Sequence, residues 1–343
     1  MLTDLKIESD KNLKEYHTFG VEARARYFIS VQSKQELQAI LAEPRFKNVK
    51  KFILGGGSNV LFVNDFDGLV INMDIKGIEK IKEGDDYVII KSGAGVIWHD
   101  LVKYCVDKNW GGIENLSLIP GTVGAAPIQN IGAYGVELVD VFESAEAVEV
   151  KSAEVMTFEK EDCEFGYRDS VFKGRLKGQY FITSVQLRLS KNPKLNTEYG
   201  SLRTKLREKS IDSPTIKDVS DTVIEIRTEK LPDPEEIGNA GSFFKNPEVY
   251  KEQYDELKSR FPTIPGYPTT DNKIKVPAGW LIEKAGWKGS RDGQTGTYKN
   301  QALVIVNHGG ATGEEILEFA TKIKNSVLEK FGIPLTPEVN LIE

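Results

Sequence analysis

The sequence predicts an α+β protein built from more than one compact unit. Three observations lead there. The opening stretch alternates strand and helix and breaks at Gly55-Gly56-Gly57, the middle carries β-patterned segments of a larger sheet, and Leu231-Pro232-Asp233-Pro234 interrupts the chain before a last unit. Two prolines in three positions break any helix and mark a hinge. At 343 residues the chain is also long for a single hydrophobic core.

The elements follow in order. Residues 25–31 form a candidate strand, and Ser33 is placed to cap a helix over 34–42, with Glu36 at the capping-box position. The apolar run Phe52-Ile53-Leu54 ends abruptly in the three glycines and Ser58-Asn59, and a β pattern resumes over 69–73. Residues 87–92 read as strand and 99–108 as helix. Strands are expected over 147–150 and 180–189, the second alternating with period 2 in its later half. Between the helix and these strands, residues 117–135 are rich in Gly, Ala, Pro and Asn. Helices are expected over 200–207 and 219–229. Beyond the hinge come a strand over 302–307, a long helix opened by the capping box Thr312–Glu315, and an extended tail over 334–343.

Composition excludes several classes of function. An apolar fraction of 40% and a charged fraction of 28% belong to an ordered globular chain. A net charge of −6 without any Lys/Arg-rich block argues against a nucleic-acid partner. Cys105 and Cys163 are the only cysteines, which excludes a disulfide scaffold and, with no close Cys or His partners, a zinc site. Buried, reduced thiols are the expectation. No apolar run approaches the roughly 20 residues of a membrane span, and residues 1–10 lack the apolar core of a signal peptide. The expected location is the cytoplasm.

Two segments are candidates for ligand chemistry. Gly55-Gly56-Gly57-Ser58-Asn59 follows a strand, where glycines permit positive φ and close backbone approach, and their N–H groups can converge on phosphate oxygens. It is neither a Walker loop nor a GxGxxG fingerprint, and taken alone it reads equally well as a tight turn. The second, Leu118-Ile119-Pro120-Gly121-Thr122-Val123-Gly124-Ala125-Ala126-Pro127-Ile128-Gln129-Asn130-Ile131-Gly132-Ala133-Tyr134-Gly135, is nearly stripped of long side chains. Such a backbone can lie along an extended polar ligand, and it is too long and too apolar for an ordinary surface loop.

Together these strings resemble the FAD-binding domain of the UDP-N-acetylenolpyruvoylglucosamine reductase family, within the vanillyl-alcohol-oxidase flavoprotein superfamily. The resemblance runs from His17-Thr18-Phe19-Gly20 to Pro337-Glu338-Val339. It implies a two-subdomain FAD-binding fold over 1–74 and 75–230, with the tail 330–343 packing back on the first subdomain, and an α+β substrate-binding domain over 231–329. FAD is expected against Gly55, Gly56, Gly57, Ser58, Asn59, Pro120, Gly121, Thr122, Gly124, Gln129, Asn130, Gly132, Ala133 and Tyr134. Several oxidases of the superfamily bind FAD covalently through a His. None of His17, His99 and His308 lies in the two loops, so non-covalent FAD is expected.

The remaining segments carry further implied roles. Phe165-Gly166-Tyr167-Arg168-Asp169-Ser170 resembles the segment whose Arg holds the substrate carboxylate, with Tyr167 beside it. A guanidinium can grip a carboxylate bidentately, although Asp169 also offers Arg168 an ordinary ion pair. Gly241-Ser242-Phe243-Phe244-Lys245-Asn246-Pro247 is the most specific match and implies that Ser242 donates a proton to the substrate carbon. Glu338 is implied to assist. Ile226-Arg227-Thr228-Glu229-Lys230-Leu231-Pro232 resembles the segment whose Arg touches FAD and whose Lys touches the diphosphate. Asn246 and Gln301 match uridine-diphosphate positions. Thr197-Glu198-Tyr199-Gly200 resembles the loop of the first of two subtypes, in which a Tyr closes over the diphosphate. The insert 254–275 matches nothing in this pattern.

The implied activity is NADPH-dependent reduction of UDP-N-acetylglucosamine enolpyruvate to UDP-N-acetylmuramate, a step of peptidoglycan synthesis, by a monomer that binds no metal and no membrane. Two other readings stand beside it: an FAD-dependent oxidase of a small alcohol or sugar, and a non-catalytic UDP-sugar-binding regulator.

Overall fold

The computed structural model describes residues 5–269 and 271–343. The first four residues and Thr270, part of the 254–275 insert, lie outside them. The chain divides into two compact units. One holds the chain through Lys11, Ala25–Gly56 and Asp67–Thr228, and the other holds Asn12–Arg24, Gly57–Phe66 and Glu229–Glu343.

The first unit contains two sheets. In the smaller, the strands run in the order Glu8–Asn12, Arg24–Val31, Phe66–Met73, Lys51–Leu54. The last two are parallel, with Leu54 opposite Asn72. The helix Lys34–Ala42 begins where expected, because Ser33 accepts the Glu36 N–H at 3.2 Å. The expected capping box is not the one formed. Glu36 turns its carboxylate to the N–H of Gln32 at 2.7 Å, one residue before the cap. The helix buries Leu37, Ile40 and Leu41 against Ile29, Val31, Leu69 and Ile71, each such side chain contributing roughly 1.5–3 kcal/mol of apolar burial.

The larger sheet is antiparallel, in the order Val155–Glu159, Phe142–Glu149, Tyr180–Ser190, Tyr87–Gly93, Ile78–Glu83. Its second strand begins at Phe142 rather than at 147, because Glu146, which breaks the apolar pattern, is held by Lys91, Lys34 and Ser184. The helix Trp98–Asp107 lays Trp98, Leu101, Val102 and Cys105 on this sheet. It starts one residue before the expected 99, since Trp98 is buried and its N–H reaches the Gly121 carbonyl at 3.0 Å. Two helices, Gly200–Glu208 and Ile216–Lys230, close on each other through Leu202, Leu206, Val219, Val223 and Ile226. The longer one begins before 219 because Thr215 and Asp218 exchange side-chain-to-backbone bonds at 2.8 and 3.2 Å.

The second unit carries a sheet in the order Gly238–Ser242, Val304–Asn307, Thr295–Thr297, Arg291–Asp292. The long helix Gly313–Phe331 forms its expected capping box at Thr312 and ends at Gly332, with φ 66°. The insert folds into the helix Lys251–Arg260 and a small sheet of Glu248–Tyr250, Lys273–Lys275 and Tyr267–Pro268. The tail strand Asn340–Ile342 runs parallel to Val60–Phe62. Among the described residues no helix is long and apolar enough to cross a membrane, and no cluster of His, Cys, Asp or Glu suits a metal ion.

Candidate active site

In the first unit the glycine turn meets the second glycine-rich segment directly. A Cβ on Gly55 would lie 2.5 Å from Thr122 Oγ1, and one on Gly56 would lie 3.0 Å from Gly121 Cα. Gly56 thus lies against the Gly121 backbone, while Gly55 leaves room for the Thr122 side chain. Of the three, only Gly57 has positive φ. Gly124 serves the same closeness, since its Cβ would fall 2.5 Å from that of Ala94.

The second segment then threads through several left-handed residues. Leu118, Asn130 and Tyr134 have φ of 57°, 42° and 49°, and Arg168 follows with 54°. Non-glycine residues in this region cost on the order of 1–3 kcal/mol and gather where surroundings over-determine them. Here the restraints are visible. Asn130 Nδ2 donates to Glu137 at 2.9 Å and to the Gly166 carbonyl at 3.1 Å, while its Oδ1 accepts from Val139 N–H at 3.0 Å. The Arg168 guanidinium donates to the carbonyls of Asn130, at 3.4 Å, and Gly132. Asp169 is not its partner, because that carboxylate accepts from Ser170 N–H at 3.0 Å. Tyr167 is exposed, with the Arg168 guanidinium over its ring at 5.4 Å. Gln129 accepts from Lys173 at 3.4 Å, Pro120 is exposed, and Ala133 pairs with Val136 at the tip of a short hairpin.

Arg227, on the helix Ile216–Lys230, converges on the same segment. Its Nε donates to the Leu118 carbonyl at 3.2 Å, and its guanidinium also bonds the Tyr134 phenol. Tyr134 stacks edge-on against Tyr199 at 5.4 Å. Burial pushes the Arg227 guanidinium down from its ordinary value, and the Arg168 charge pushes the same way. Burial likewise pushes the Tyr134 phenol up. Two guanidinium groups thus face the segment with carbonyls and a phenol as their hydrogen-bond partners, and their positive charge suits an anionic ligand.

In the second unit Ser242 ends the strand Gly238–Ser242 opposite Val304, after the left-handed Gly241. The next residue fastens the tail: Glu338 N–H donates to the Phe243 carbonyl at 2.8 Å, and Lys245 N–H to Thr336 at 2.9 Å. Asn59 joins the same place, its Nδ2 donating to the Glu338 carbonyl at 3.4 Å and its carbonyl accepting from Asn340 N–H at 3.0 Å. Ser242, Glu338 and the Ser58-Asn59 end of the glycine turn are therefore neighbours, although they are remote in sequence. Asn246 and Gln301 also converge. Asn246 Oδ1 accepts the N–H of Ala278 at 2.9 Å, and Gln301 Oε1 lies 3.0 Å from where a Cβ on Gly279 would stand. Lys230 is exposed.

His99 and Leu118 take part in the geometry around Arg227 although nothing in the sequence singled them out as site residues. A left-handed leucine leaves no sequence signal.

Comparison with known proteins gives the domains and the family. Residues 25–159 match the model of an FAD binding domain, and residues 233–342 match that of the UDP-N-acetylenolpyruvoylglucosamine reductase C-terminal domain. FAD is thus the cofactor, and the two guanidinium groups beside the segment suit its anionic character. A solved UDP-N-acetylenolpyruvylglucosamine reductase from Thermus caldophilus shares the fold, with a TM-score of 0.67 over 99% of both chains at 24% identity. UDP-N-acetylenolpyruvoylglucosamine reductase of Flavobacterium johnsoniae is 52% identical over 98% of this chain and all of its own length. The Pseudomonas aeruginosa protein of the same name is 45% identical over 98% of this chain and 99% of its own. Identity at this level along the whole length shows that the chain belongs to the UDP-N-acetylenolpyruvoylglucosamine reductase family.

Proposed function

We propose that the protein reduces UDP-N-acetylglucosamine enolpyruvate to UDP-N-acetylmuramate with NADPH, as a cytoplasmic monomer supplying a peptidoglycan precursor. The observation that carries this reading is the fastening of Glu338 to Phe243 beside Ser242, which gives proton delivery a hydroxyl and a carboxylate on adjoining segments. FAD, when bound, would supply the hydride chemistry that links NADPH to the enolpyruvyl methylene carbon. The chain's own residues handle the charge that results. Negative charge accumulates next to the substrate carboxylate, so donors must be preorganised toward it. Arg168, anchored on the Asn130 and Gly132 carbonyls, holds that carboxylate. Ser242 delivers the proton, and Glu338 supports its departure from the hydroxyl. Arg227 contacts FAD, as do Gly55 to Asn59 and, in the second segment, Pro120, Gly121, Thr122, Gly124, Gln129, Asn130, Gly132, Ala133 and Tyr134. Lys230, Tyr199, Asn246 and Gln301 hold the uridine-diphosphate part, and Tyr167 lies beside the carboxylate. The division into 1–74, 75–230 and 231–329, with the tail 330–343, belongs to the same reading. NADPH and the sugar nucleotide react in turn, which requires ping-pong kinetics.

The test is anaerobic absorbance of the flavin band. Bleaching by NADPH and recovery of colour on adding the enolpyruvyl sugar nucleotide is the expected sequence. Bleaching without recovery removes the substrate assignment and favours an oxidase.

A further inference from the structure

The start of the helix Trp98–Asp107 is sewn to the loop that follows it. Trp98 Nε1 donates to the Leu116 carbonyl at 3.0 Å, and Trp98 N–H donates to the Gly121 carbonyl at 3.0 Å. Between these two stitches lies Leu118, left-handed at φ 57°. Each peptide group flanking its Cα is held by one side chain. Its N–H donates to His99 Nδ1 at 3.0 Å, and its carbonyl accepts from Arg227 Nε at 3.2 Å.

We propose that His99 is a positioning residue: by accepting the Leu118 N–H it holds Leu118 left-handed, and so aims the carbonyl that orients the Arg227 guanidinium toward FAD. The inference rests on the reading of Arg227 as an FAD contact. A left-handed leucine crowds its Cβ against the following carbonyl, so the conformation needs a partner for the N–H it turns inward. A neutral imidazole with its proton on Nε2 offers that partner, whereas an imidazolium has only donors and repels the Leu118 N–H. The groups facing His99 favour the neutral form. Burial, Lys103 on its own helix and Arg227 on the facing helix all push its pKa below the ordinary value, and only Asp100 pushes the other way.

Three variants test it. His99→Asn puts an amide oxygen near the Nδ1 position, His99→Leu removes the acceptor, and neither titrates. In the apo protein, amide exchange at Leu118 should accelerate about tenfold or more in H99L and stay near wild type in H99N, as expected for the loss or retention of one hydrogen bond. FAD affinity, read by quenching of flavin fluorescence, should fall by a similar factor in H99L alone. Wild-type affinity should weaken from pH 7 to pH 5 relative to H99N, and that comparison decides the matter should H99L fail to fold. Equal exchange and equal affinity in H99L and H99N, with no pH difference between H99N and wild type, overturn the proposal. Arg227→Met separates the two ideas. Unchanged FAD affinity there defeats the reading of Arg227, while loss of affinity in R227M but not in H99L defeats only the role of His99.

Discussion

Gly57 and Gly20 share a φ of +61° but differ in what surrounds them. A Cβ on Gly57 would stand 2.2 Å from the Tyr16 carbonyl oxygen and 2.4 Å from His17 Cα, whereas one on Gly20 would meet nothing within 4 Å. The two close atoms belong to backbone, so turning a side chain cannot relieve the overlap. The left-handed backbone alone costs an alanine about 1–2 kcal/mol, and overpacking adds roughly 1–3 kcal/mol. Gly20→Ala should therefore lose about 1–2 kcal/mol and Gly57→Ala about 2–5 kcal/mol. The backbone contribution cancels between them, which leaves crowding as the difference. Urea unfolding of the apo protein measures it as a shift in midpoint at constant slope. Equal midpoints for the two variants would refute the argument that the turn is held by contact with the segment Tyr16-His17, and would leave φ as the only reason for glycine at 57.

Further outcomes follow from the same geometry. Ser242→Ala should still let NADPH bleach the flavin while slowing recovery by the enolpyruvyl substrate about 10²–10⁴-fold, the usual range for losing a positioned proton donor; stopped-flow absorbance of the two half-reactions checks it. His17 is buried, donates from Nε2 to the Val21 carbonyl at 3.1 Å, and its pKa is lowered by burial to about 4. The unfolded chain then binds the extra proton first, so stability is fully present above the ordinary value near 6.5 and is lost as pH falls toward 4, by roughly 3 kcal/mol. His17→Gln, which keeps a donor but does not titrate, should flatten that part of the pH–stability curve, and parallel curves would remove His17 as the cause. Burial pushes the Cys105 and Cys163 thiols up to about 12, so neither should react with a disulfide reagent at pH 8 until denaturant is added, as absorbance of the released thiolate would show. Asn246→Ala should cost about 1 kcal/mol by uncapping Ala278 N–H and raise the KM for the sugar nucleotide, while Asn246→Asp should recover the stability, measured by denaturant midpoints.

What the sequence disclosed and what it hid divide along the range of the interactions involved. The helices opened by Ser33 and Thr312 were legible because a cap and its N–H lie within three residues. The start of the helix at Ile216 was not, because its cap pairs Thr215 with an Asp rather than with Glu or Gln. The first half of the strand Phe142–Glu149 is hidden in the sequence, because Glu146 looks like a surface residue until Lys91 and Lys34 arrive from other elements. In the site, the glycine-rich strings announced an unusual backbone without saying what it approached.

A glycine-rich loop invites the argument that the missing side chains make room for a ligand. At Gly55, Gly56 and Gly124 the space is already taken by Thr122, Gly121 and Ala94. Gly56 lets the turn lie against the Gly121 backbone, while Gly55 and Gly124 make room for the Thr122 and Ala94 side chains. Leu118, Asn130 and Tyr134, each left-handed without being glycine, then bend the segment at fixed points, and partners held elsewhere in the fold maintain the bends: His99 and Arg227 for Leu118, Glu137 and Gly166 for Asn130. A single strained residue would relax into an ordinary conformation. At Leu118 the strain persists because its inward-turned N–H and carbonyl each have a partner, His99 Nδ1 and Arg227 Nε. On the proposed reading, a segment whose bends are already bonded to protein partners needs little ordering when it takes up a long, flexible dinucleotide.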